Sequence, residues 1–471
     1  MVPVHNAPMA TARCLDSLIA CGISGDRILV IDDASDDRSV RNYLARLARS
    51  KHIRLERNPS NLGFAATVNR AFAACPQNDI VLLNSDTLVA EDWLERLTRA
   101  AYSAADICSV TPLSNEGGLS SYPLMAGGPI KPSETPHWHA LVRRTLDRQT
   151  AELPVGNGFC LYLRRDSLEA IGEFDAAIFG AGYGEETDFC LQARALGWRH
   201  VAALDVYVYH QGGASFGEHR SALLERSQHL LHARHPGFRR LLEHWAQSNP
   251  LTNARRALDE ARLQQQASPW ALLVSHAGGG GVERHVSERT TRLRAQGLAT
   301  LLLTPAVPGE HSHVHLLSTS PTVLNLRYAI PADLARLSSL LTTLRIDHVE
   351  IHHFLGLSPR LIDAVTALGV PVDVTLHDYA WYCPQVTLVD ASGRYCGEPA
   401  VSTCRTCCRE QGSALGERTG VVALRKRSER WLRLARQVRA PSADCAKRYH
   451  AREYRRPPPD HCRFSSGAEL S

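Results

Sequence analysis

The stretch that decides the fold reads ILVIDDASDD, residues 28–37. Four consecutive apolar residues are typical of a strand that is buried on both faces of a parallel sheet. The carboxylates of Asp32 and Asp33 follow at its carboxyl end, which is where open α/β sheets bind ligands. The pattern therefore predicts a parallel α/β sheet with a ligand site at the end of this strand.

Three further segments in the same half of the chain end in the same way, with polar residues after an apolar run. They are VPVHN at residues 2–6, IRLERN at residues 53–58 and IVLLNSD at residues 80–86. Amphipathic helical patterns separate them, and this alternation is typical of a nucleotide-binding α/β domain. Residues 109–123 are polar and rich in turn formers, and residues 126–150 have no clear period, so both segments are expected to be loops.

A second acidic segment, GYGEETD at residues 182–188, places three carboxylates within four residues. Carboxylates this close repel one another, so one of them is expected to have a raised pKa, as a general base does. The other interpretation is an acidic first turn of a helix, which the helix dipole favours. The segment alone does not decide between the two.

Composition narrows the class of protein. The chain has 471 residues, of which 44% are apolar and 21% charged, and this length favours two or three globular domains. A net charge of +5 gives no reason to expect nucleic-acid binding. Thirteen cysteines are too dilute for a disulfide scaffold, and neither a signal peptide nor a membrane span is recognised. We therefore expect a cytoplasmic protein.

Residues 220–268 are rich in arginine, glutamine, histidine and leucine and predict a helical connector. A basic amphipathic face here would allow peripheral association with the inner face of the cell membrane. A helix face in contact with solvent is the simpler interpretation.

Five motifs, in the same order, resemble glycosyltransferase family 2. They are PVHN at residues 3–6, IDDAS at 31–35, Asn58 with NLGF at 61–64, NSDT at 84–87, and GEETD at 184–188 followed by His210. Each motif is common alone, but five in order are specific. The resemblance covers residues 1–220 and implies the GT-A fold and transfer of a sugar from a nucleotide diphosphate sugar, with inversion at the anomeric carbon.

The resemblance also implies roles for individual residues. Asp86 and His210 resemble the protein ligands of a divalent cation, Mn²⁺ or Mg²⁺, which neutralises the leaving diphosphate. Glu186 stands at the position of the catalytic base, with Glu185 as its rival and Asp188 as the third carboxylate of the motif. The residues expected to bind or shape the substrate site are Pro3, His5, Asn6, Asp32, Asp33, Asn58, Gly63, Asn69, Asn84, Ser85 and Gly158.

Simpler interpretations stay open for two of these assignments. Asp32 and Asp33 are also good formers of a turn at a strand end. The alternative for His210 is a strand-end histidine that bonds to backbone, which is the less favoured interpretation. The glycine-rich segment HQGGASF, residues 210–216, is expected to order over the diphosphate.

The second half restarts the strand pattern at WALLVSH, residues 270–276, followed by a glycine loop and a helix, GGGGVERH, at residues 278–285. With HVEIHH at 348–353 and VDVTLHDY at 372–379, it resembles the N-terminal half of family 4 GT-B glycosyltransferases. The nucleotide-binding second half of such an enzyme is not recognised. We therefore expect three regions: a GT-A domain at 1–222, a helical connector at 223–268, and an incomplete Rossmann-like, acceptor-side module at 269–471.

Four cysteines cluster in this second half: Cys383, Cys396, Cys404 and Cys407. The last two form a C-x-x-C pair, so a structural Zn²⁺ is one interpretation. Their irregular spacing leaves free thiols in a loop as the other.

The leading prediction is a metal-dependent, inverting glycosyltransferase of surface polysaccharide biosynthesis. Its partners would be a nucleotide diphosphate sugar and a glycan or lipid-linked acceptor. The alternative is a non-catalytic protein that binds nucleotide sugars or glycans, because Asn84 and Glu186 depart from the family pattern.

Overall fold

The computed structural model describes residues 1–125, 127–180, 182–212, 220–308, 311–415, 419–453 and 463–466. The chain divides into two compact units, Met1–Leu258 and Asp259–Ser471, and each has a hydrophobic core of its own. Within the described ranges, no helix combines the length and the apolar character that crossing a membrane requires.

The first unit alternates strands and helices. Its strands are β1 (Val2–Val4), β2 (Leu29–Asp32), β3 (Arg54–Arg57), β4 (Ile80–Leu83), β5 (Thr87–Leu88), β6 (Ile107–Leu113), β7 (Thr150–Leu153), β8 (Cys160–Leu163), β9 (Arg199–Tyr207) and β10 (Tyr209–His210). Its helices are α1 (Pro8–Ala20), α2 (Arg38–Arg49), α3 (Phe64–Ala74), α4 (Trp93–Ala101), α5 (Thr135–Thr145), α6 (Arg165–Ile171), α7 (Ala176–Phe179), α8 (Glu185–Ala195), α9 (Arg220–Arg234) and α10 (Phe238–Ser248). The division between the units falls within α11 (Thr252–Gln264).

Three sheets position the polar strand ends of this unit. Strands β1, β2 and β3 are parallel in that order, with Val4 opposite Asp32 and Asp32 opposite Arg57. Their carboxyl ends therefore lie side by side. Strands β4, β8, β6, β9 and β7 form a mixed sheet in that order, and β5 pairs with β10 in a short antiparallel ladder. The structure is thus the α/β class that the sequence predicts.

The expectation of a loop from residue 109 was wrong. Residues 107–113 form strand β6, and every residue of it is buried. The polar side chains that suggested a loop have buried partners, because Ser109 Oγ bonds to His200 Nδ1 at 2.7 Å and Thr111 Oγ1 accepts from the backbone N–H of Asn157 at 3.0 Å. Burying a hydroxyl costs little once it is hydrogen-bonded, so the strand tolerates these residues.

The expectation of a loop over residues 126–150 was also wrong, because helix α5 occupies residues 135–145. Its Trp138 is 7% exposed and its ring stacks on that of Tyr207 at 5.9 Å between centroids. His139 bonds through Nε2 to Asp92 at 2.9 Å. These tertiary contacts, rather than a helical period in the sequence, account for the helix.

The first helices of the segment predicted as a connector belong to the first unit. Trp245 on α10 donates its indole N–H to the carbonyl of Glu152 at 3.0 Å. His235, directly after α9, bonds to the carboxylate of Asp188 at 2.7 Å.

The second unit is a largely parallel sheet. Its strands are β11 (Trp270–Val274), β12 (Ala299–Pro305), β13 (His313–Thr319), β14 (Thr322–Val323), β15 (Arg327–Ala329), β16 (Ile346–Ile351), β17 (Val372–Thr375), β18 (Gln437–Ala440) and β19 (Arg463–Ser466). Its helices are α12 (Gly280–Ala295), α13 (Leu334–Thr343), α14 (Pro359–Thr366), α15 (Val401–Gln411), α16 (Val421–Leu434) and α17 (Ala443–Glu453). The order is β14-β13-β12-β11-β16-β17-β18-β19, with β15 beside β13, and β12, β11, β16, β17, β18 and β19 run parallel.

Candidate functional site

The carboxylate of Asp33 organises the loop that follows β3. Asp33 is 5% exposed, and its Oδ1 accepts from Asn58 Nδ2 at 2.7 Å and from the backbone N–H of Leu62 at 2.8 Å. Its Oδ2 accepts from the backbone N–H of Gly63 at 3.0 Å. Gly63 has a φ of +83°, a conformation that glycine adopts without cost. Asp33, Asn58 and Gly63 therefore form one hydrogen-bonded corner, as neighbouring strand ends should.

Asp32 is buried beside this corner but has fewer partners. Its Oδ1 accepts from the backbone N–H of Ser35 at 2.9 Å. This hydrogen bond closes a turn at the strand end, as the turn interpretation of Asp32 predicts. Its Oδ2 lies 3.5 Å from Nε of Arg57. Pro3 lies opposite Ile31 in the neighbouring strand, one position before Asp32.

His5 and Asn6 continue the same polar edge after β1. Nδ1 of His5 donates to the backbone carbonyl of Asp33 at 2.9 Å, so the ring is oriented by the neighbouring strand. Oδ1 of Asn6 accepts from the backbone N–H groups of Asp36 and Asp37, both at 3.0 Å. The structure thus brings together the predicted residues that follow β1, β2 and β3.

Asn69 has a different environment. Its Nδ2 donates to the carbonyl of Phe174 at 2.8 Å, and its Oδ1 accepts from the N–H of Phe174 at 3.0 Å. Both ends of the amide are therefore occupied by backbone, and Asn69 joins α3 to the segment before α7. Nothing in the sequence distinguishes this role from lining a pocket.

Asp86 and His210 meet because β5 pairs with β10, which sets Thr87 opposite His210. Oδ1 of Asp86 lies 3.4 Å from Nε2 of His210, and Asp86 is 8% exposed. Nδ1 of His210 donates to the carbonyl of Glu116 at 2.8 Å, which leaves Nε2 facing the carboxylate of Asp86. Burial lowers the pKa of His210, but the contact with Asp86 outweighs it, so the net pKa is raised.

Asn115 is a residue of this site that sequence reasoning missed. Its Oδ1 accepts from the backbone N–H of His210 at 2.9 Å, and its Nδ2 donates to the carbonyl of His210 at 2.7 Å. Asn115 is 4% exposed and fixes β10 in place. A polar residue in a stretch expected to be a loop gave no signal for this role. The glycine-rich segment after His210 lies in part outside the described residues, at 213–219.

The acidic motif opens helix α8, so the helix-start interpretation is correct as local structure. The preceding residues Gly182, Tyr183 and Gly184 have φ values of +116°, +68° and +102°. A Cβ at Gly184 would lie 2.2 Å from Oγ of Ser227 and 2.8 Å from Cε1 of Phe179. Glycine is therefore required at this position for space as well as for conformation.

The two glutamates of the motif differ in environment. Glu185 is 3% exposed, and among the described residues nothing donates a hydrogen bond to its buried Oε2. Burial, and then repulsion from Glu186, raises the pKa of Glu185 to about 8. Glu186 is half-buried, and burial raises its pKa although backbone N–H groups, including that of Gly158, oppose the shift.

Glu186 faces the strand-end segment before β8. A Cβ added to Gly158 would lie 3.4 Å from Cγ of Glu186, so the absence of a side chain leaves this space open. The next residue, Phe159, stacks its ring on His210 at 5.1 Å between centroids and accepts a backbone hydrogen bond from Asn84 at 2.9 Å. The Asp86–His210 pair and Glu186 therefore border the same two residues, 158–159. Ser85, between Asn84 and Asp86, is 8% exposed.

Asp188 is directed away from this segment. The side chain is 1% exposed, and its Oδ1 accepts from Nε2 of His235 at 2.7 Å and Nε of Arg234 at 3.1 Å. Its Oδ2 accepts from Nε2 of Gln192 at 2.7 Å. This carboxylate fastens α8 to the end of α9.

The cysteine segment of the second unit gives the zinc prediction no support. Cys383, Cys396, Cys404 and Cys407 line one cavity of about 380 Å³. Among the described residues, however, they do not form a group whose sulfur atoms are close enough together to share one metal ion. Burial raises the pKa of Cys383 and of Cys407, which favours protonated thiols.

Residues 1–172 match the model of glycosyl transferase family 2, and residues 279–460 match that of glycosyltransferase family 4. A curated relative, the N-acetylglucosaminyl-diphospho-decaprenol L-rhamnosyltransferase of Mycobacterium tuberculosis, is 27% identical over 246 residues, which cover 46% of this chain and 78% of the relative. The solved mannosyltransferase PcManGT from Pyrobaculum calidifontis, in complex with GDP-Man and Mn²⁺, is 17% identical with a TM-score of 0.38, over 62% of this chain and 79% of that one. GalNAc-T7 with UDP, GalNAc and Mn²⁺ is 17% identical with a TM-score of 0.34, over 44% of this chain and 42% of that one.

Proposed function

We infer that this chain is a glycosyltransferase, because residues 1–172 match the model of glycosyl transferase family 2 and residues 279–460 match that of glycosyltransferase family 4. We propose that it transfers a hexose or deoxyhexose, with inversion, from a nucleotide diphosphate sugar to a lipid-linked sugar diphosphate in surface polysaccharide biosynthesis. The acceptor class follows the name of the mycobacterial relative. The proposal rests on one observation: Glu186 lies next to Gly158, while His210, which faces Asp86, stacks on the adjacent Phe159.

The polar edge after β1, β2 and β3 would bind the nucleotide. Asp32 keeps a carboxylate oxygen near the exposed Arg57, and carboxylates accept hydrogen bonds from ribose hydroxyls and base N–H groups. Asp33, Asn58 and Gly63 shape the loop against which the base would lie, and His5 is oriented at the same edge. Asn69 has a positioning role in this proposal, since its amide is occupied by Phe174.

Asp86 and His210 fit a divalent cation. The Nδ1–H bond of His210 to a carbonyl is the arrangement that orients a metal-ligating imidazole, with Nε2 free to ligate. A carboxylate oxygen and an imidazole nitrogen suit Mn²⁺ or Mg²⁺, the imidazole favouring Mn²⁺. When bound, such a cation neutralises the charge of the leaving nucleoside diphosphate. Asn84 and Ser85 precede Asp86 and would line the diphosphate side.

Glu186 would act as the general base that takes the proton of the acceptor hydroxyl. It faces the open space at Gly158 and is half-buried, whereas Glu185 is 3% exposed. A raised pKa suits a base that must accept a proton near neutral pH. Asp188 would position α8 rather than contact the substrate, because its oxygens are taken by His235, Arg234 and Gln192.

The proposed regions are a GT-A domain at 1–222, a helical connector at 223–268 and an acceptor-side module at 269–471. Association of the enzyme with the inner face of the cell membrane is part of this proposal, since a lipid-linked acceptor resides in a membrane.

The test compares Glu186→Gln with its neighbour Glu185→Gln in the full-length protein. A panel of nucleotide sugars is first screened for protection against thermal unfolding, with and without Mn²⁺, and the donor that protects is assayed with a polyprenyl-diphosphate sugar acceptor. We expect Glu186→Gln to lose about 10²–10⁴ in kcat with donor protection unchanged, and Glu185→Gln to keep transfer. NMR of the product gives the anomeric configuration.

Three results would count against the proposal. Loss of transfer in Glu185→Gln with full transfer in Glu186→Gln would reverse the assignment of the base. Retention of configuration in the product would exclude inversion. Donor protection without transfer to any acceptor by the wild-type protein would favour a non-catalytic binding protein.

A further inference from the structure

Three histidines of the second unit converge at the carboxyl ends of its parallel strands. Strands β11, β16 and β17 are neighbours. His352 directly follows β16, and His377 follows β17 by two residues. His285 lies on α12, the helix after β11. This edge is where open α/β sheets bind ligands, and the three imidazoles meet there from three separate segments of the chain.

The nitrogen atoms of this histidine cluster are spaced as metal ligands are. One nitrogen from each of His285, His352 and His377 lies within 4.8 Å of the other two. Nε2 of His377 is 3.4 Å from Nδ1 of His352. In a tetrahedral zinc site with bonds of 2.0–2.1 Å, ligand nitrogens are about 3.3–3.4 Å apart. The contact between His352 and His377 has this length, and the nitrogen of His285 lies within 4.8 Å of its two counterparts.

The carboxylate of Glu350 lies beside His352, the most buried of the three histidines. His352 is 1% exposed, and its second nitrogen, Nε2, lies 3.4 Å from Oε2 of Glu350. Among the described residues this Nε2 has no hydrogen bond of good geometry. Arg289 holds the carboxylate of Glu350 through Nε, at 2.9 Å from each oxygen, and His348 Nε2 lies 3.0 Å from Oε1.

This arrangement matches the carboxylate–histidine–metal triad, in which a ligating imidazole gives its other N–H to a fixed carboxylate. If Nδ1 of His352 ligates a metal ion, Nε2 carries the proton and donates it to Glu350. A hydrogen bond from Nε2 of His377 to Nδ1 of His352 also accounts for the 3.4 Å contact and places the same proton on Nε2 of His352. That hydrogen bond does not account for the convergence of a third imidazole, His285, on the same point.

We propose that His285, His352 and His377 form a binding site for a divalent transition-metal ion, Zn²⁺ by preference, with Glu350 as the carboxylate that orients His352. Three imidazole ligands leave a fourth position open, as in zinc sites that bind water or a substrate oxygen. The site lies wholly in the second unit and is independent of the sugar-transfer proposal for the first.

The test is metal binding by the full-length protein after treatment with a chelator. Zn²⁺ affinity is measured by competition with a chromophoric chelator, and Co²⁺ is added as a spectroscopic substitute, since its visible absorption reports a tetrahedral ligand field. The variants are His285→Ala and His377→Ala, whose side chains are only partly buried, and Glu350→Gln. His315→Ala on β13 is the matched control, and thermal unfolding without metal verifies that each variant is folded.

We expect one tightly bound equivalent in the wild-type protein and in His315→Ala, and its loss in His285→Ala and His377→Ala. Glu350→Gln should weaken binding by about 10–100-fold, as expected for an orienting carboxylate. Zn²⁺ affinity that is unchanged in both histidine variants would overturn the proposal. So would loss of the equivalent in the double variant Cys404→Ser with Cys407→Ser, or a wild-type protein that binds no Co²⁺ with tetrahedral absorption.

Discussion

Replacing Asp188 with asparagine tests whether this carboxylate holds the structure or takes part in the chemistry. The side chain is 1% exposed and accepts from His235, Gln192 and Arg234. Asparagine keeps the size but removes the charge. Removing one partner of a buried ion pair costs about 3–5 kcal/mol, but Arg234 is 35% exposed and keeps a second carboxylate, Asp175, at 2.7 Å. Solvent and Asp175 thus reduce the loss to about 2–3 kcal/mol.

For a unit of this size each kcal/mol shifts Tm by about 2–4 °C, so Asp188→Asn should unfold roughly 5–10 °C below the wild-type protein. Circular dichroism during heating measures the shift, and transfer is assayed at a temperature at which both proteins are folded. Under those conditions we expect Asp188→Asn to retain most of its transfer rate, in contrast to Glu186→Gln. An unchanged Tm together with a loss of transfer as large as that of Glu186→Gln would refute the structural role.

Two further predictions concern the same motif, and a third concerns Gly158, which faces it. Gly184→Ala should destabilise the protein by more than the roughly 1–3 kcal/mol typical of a non-glycine residue in a left-handed conformation, because the added Cβ also meets Oγ of Ser227. Urea unfolding measures the loss of stability, and a second substitution in the same chain, Ser227→Gly, should restore part of that stability. Folding raises the pKa of Glu185 from 4.5 to about 8, so the contribution of this side chain to the free energy of unfolding is present below pH 4.5 and is lost as the pH rises through 8. Above pH 8, Glu185→Gln should therefore be more stable than the wild-type protein, and equal stability of the two proteins there would contradict the raised pKa. Gly158→Ala should keep its Tm, because the added Cβ makes only ordinary contacts of 3.4–3.7 Å with Glu186. If Glu186 is the base, as proposed, the added methyl group should slow transfer by filling the space in front of its carboxylate, and an unaltered kcat would count against the proposed position of the acceptor.

The sequence predicted the features that depend on local pattern. An apolar run followed by polar residues specifies a buried strand and its functional end, and Asp33, Asn58 and Gly63 do meet at such ends. The prediction of a family 2 region followed by a family 4 region is confirmed by the matches at 1–172 and 279–460.

The remaining features depend on contacts between distant segments. The sequence around Ser109 indicates a loop, because it does not show that the hydroxyl is buried against His200, which lies 91 positions further along the chain. The sequence does not distinguish the carboxylates of Glu186 and Asp188. Only the packing of α9 against α8 shows that Asp188 forms an ion pair with Arg234. The histidines at 285, 352 and 377 occur in three motifs whose convergence requires the order of β11, β16 and β17.

The pairing of β10 with β5 decides how the enzyme can be shortened. The family 2 match ends at residue 172, yet His210 arrives beside Asp86 through β10, and α8 with Glu186 also lies beyond that residue. A fragment cut at the end of the match would lack one side of the site and expose the edge of β5. A fragment that keeps both sides of the candidate site must extend beyond His210, and the compact unit that ends at Leu258 also includes the Asp188 ion pair and Trp245.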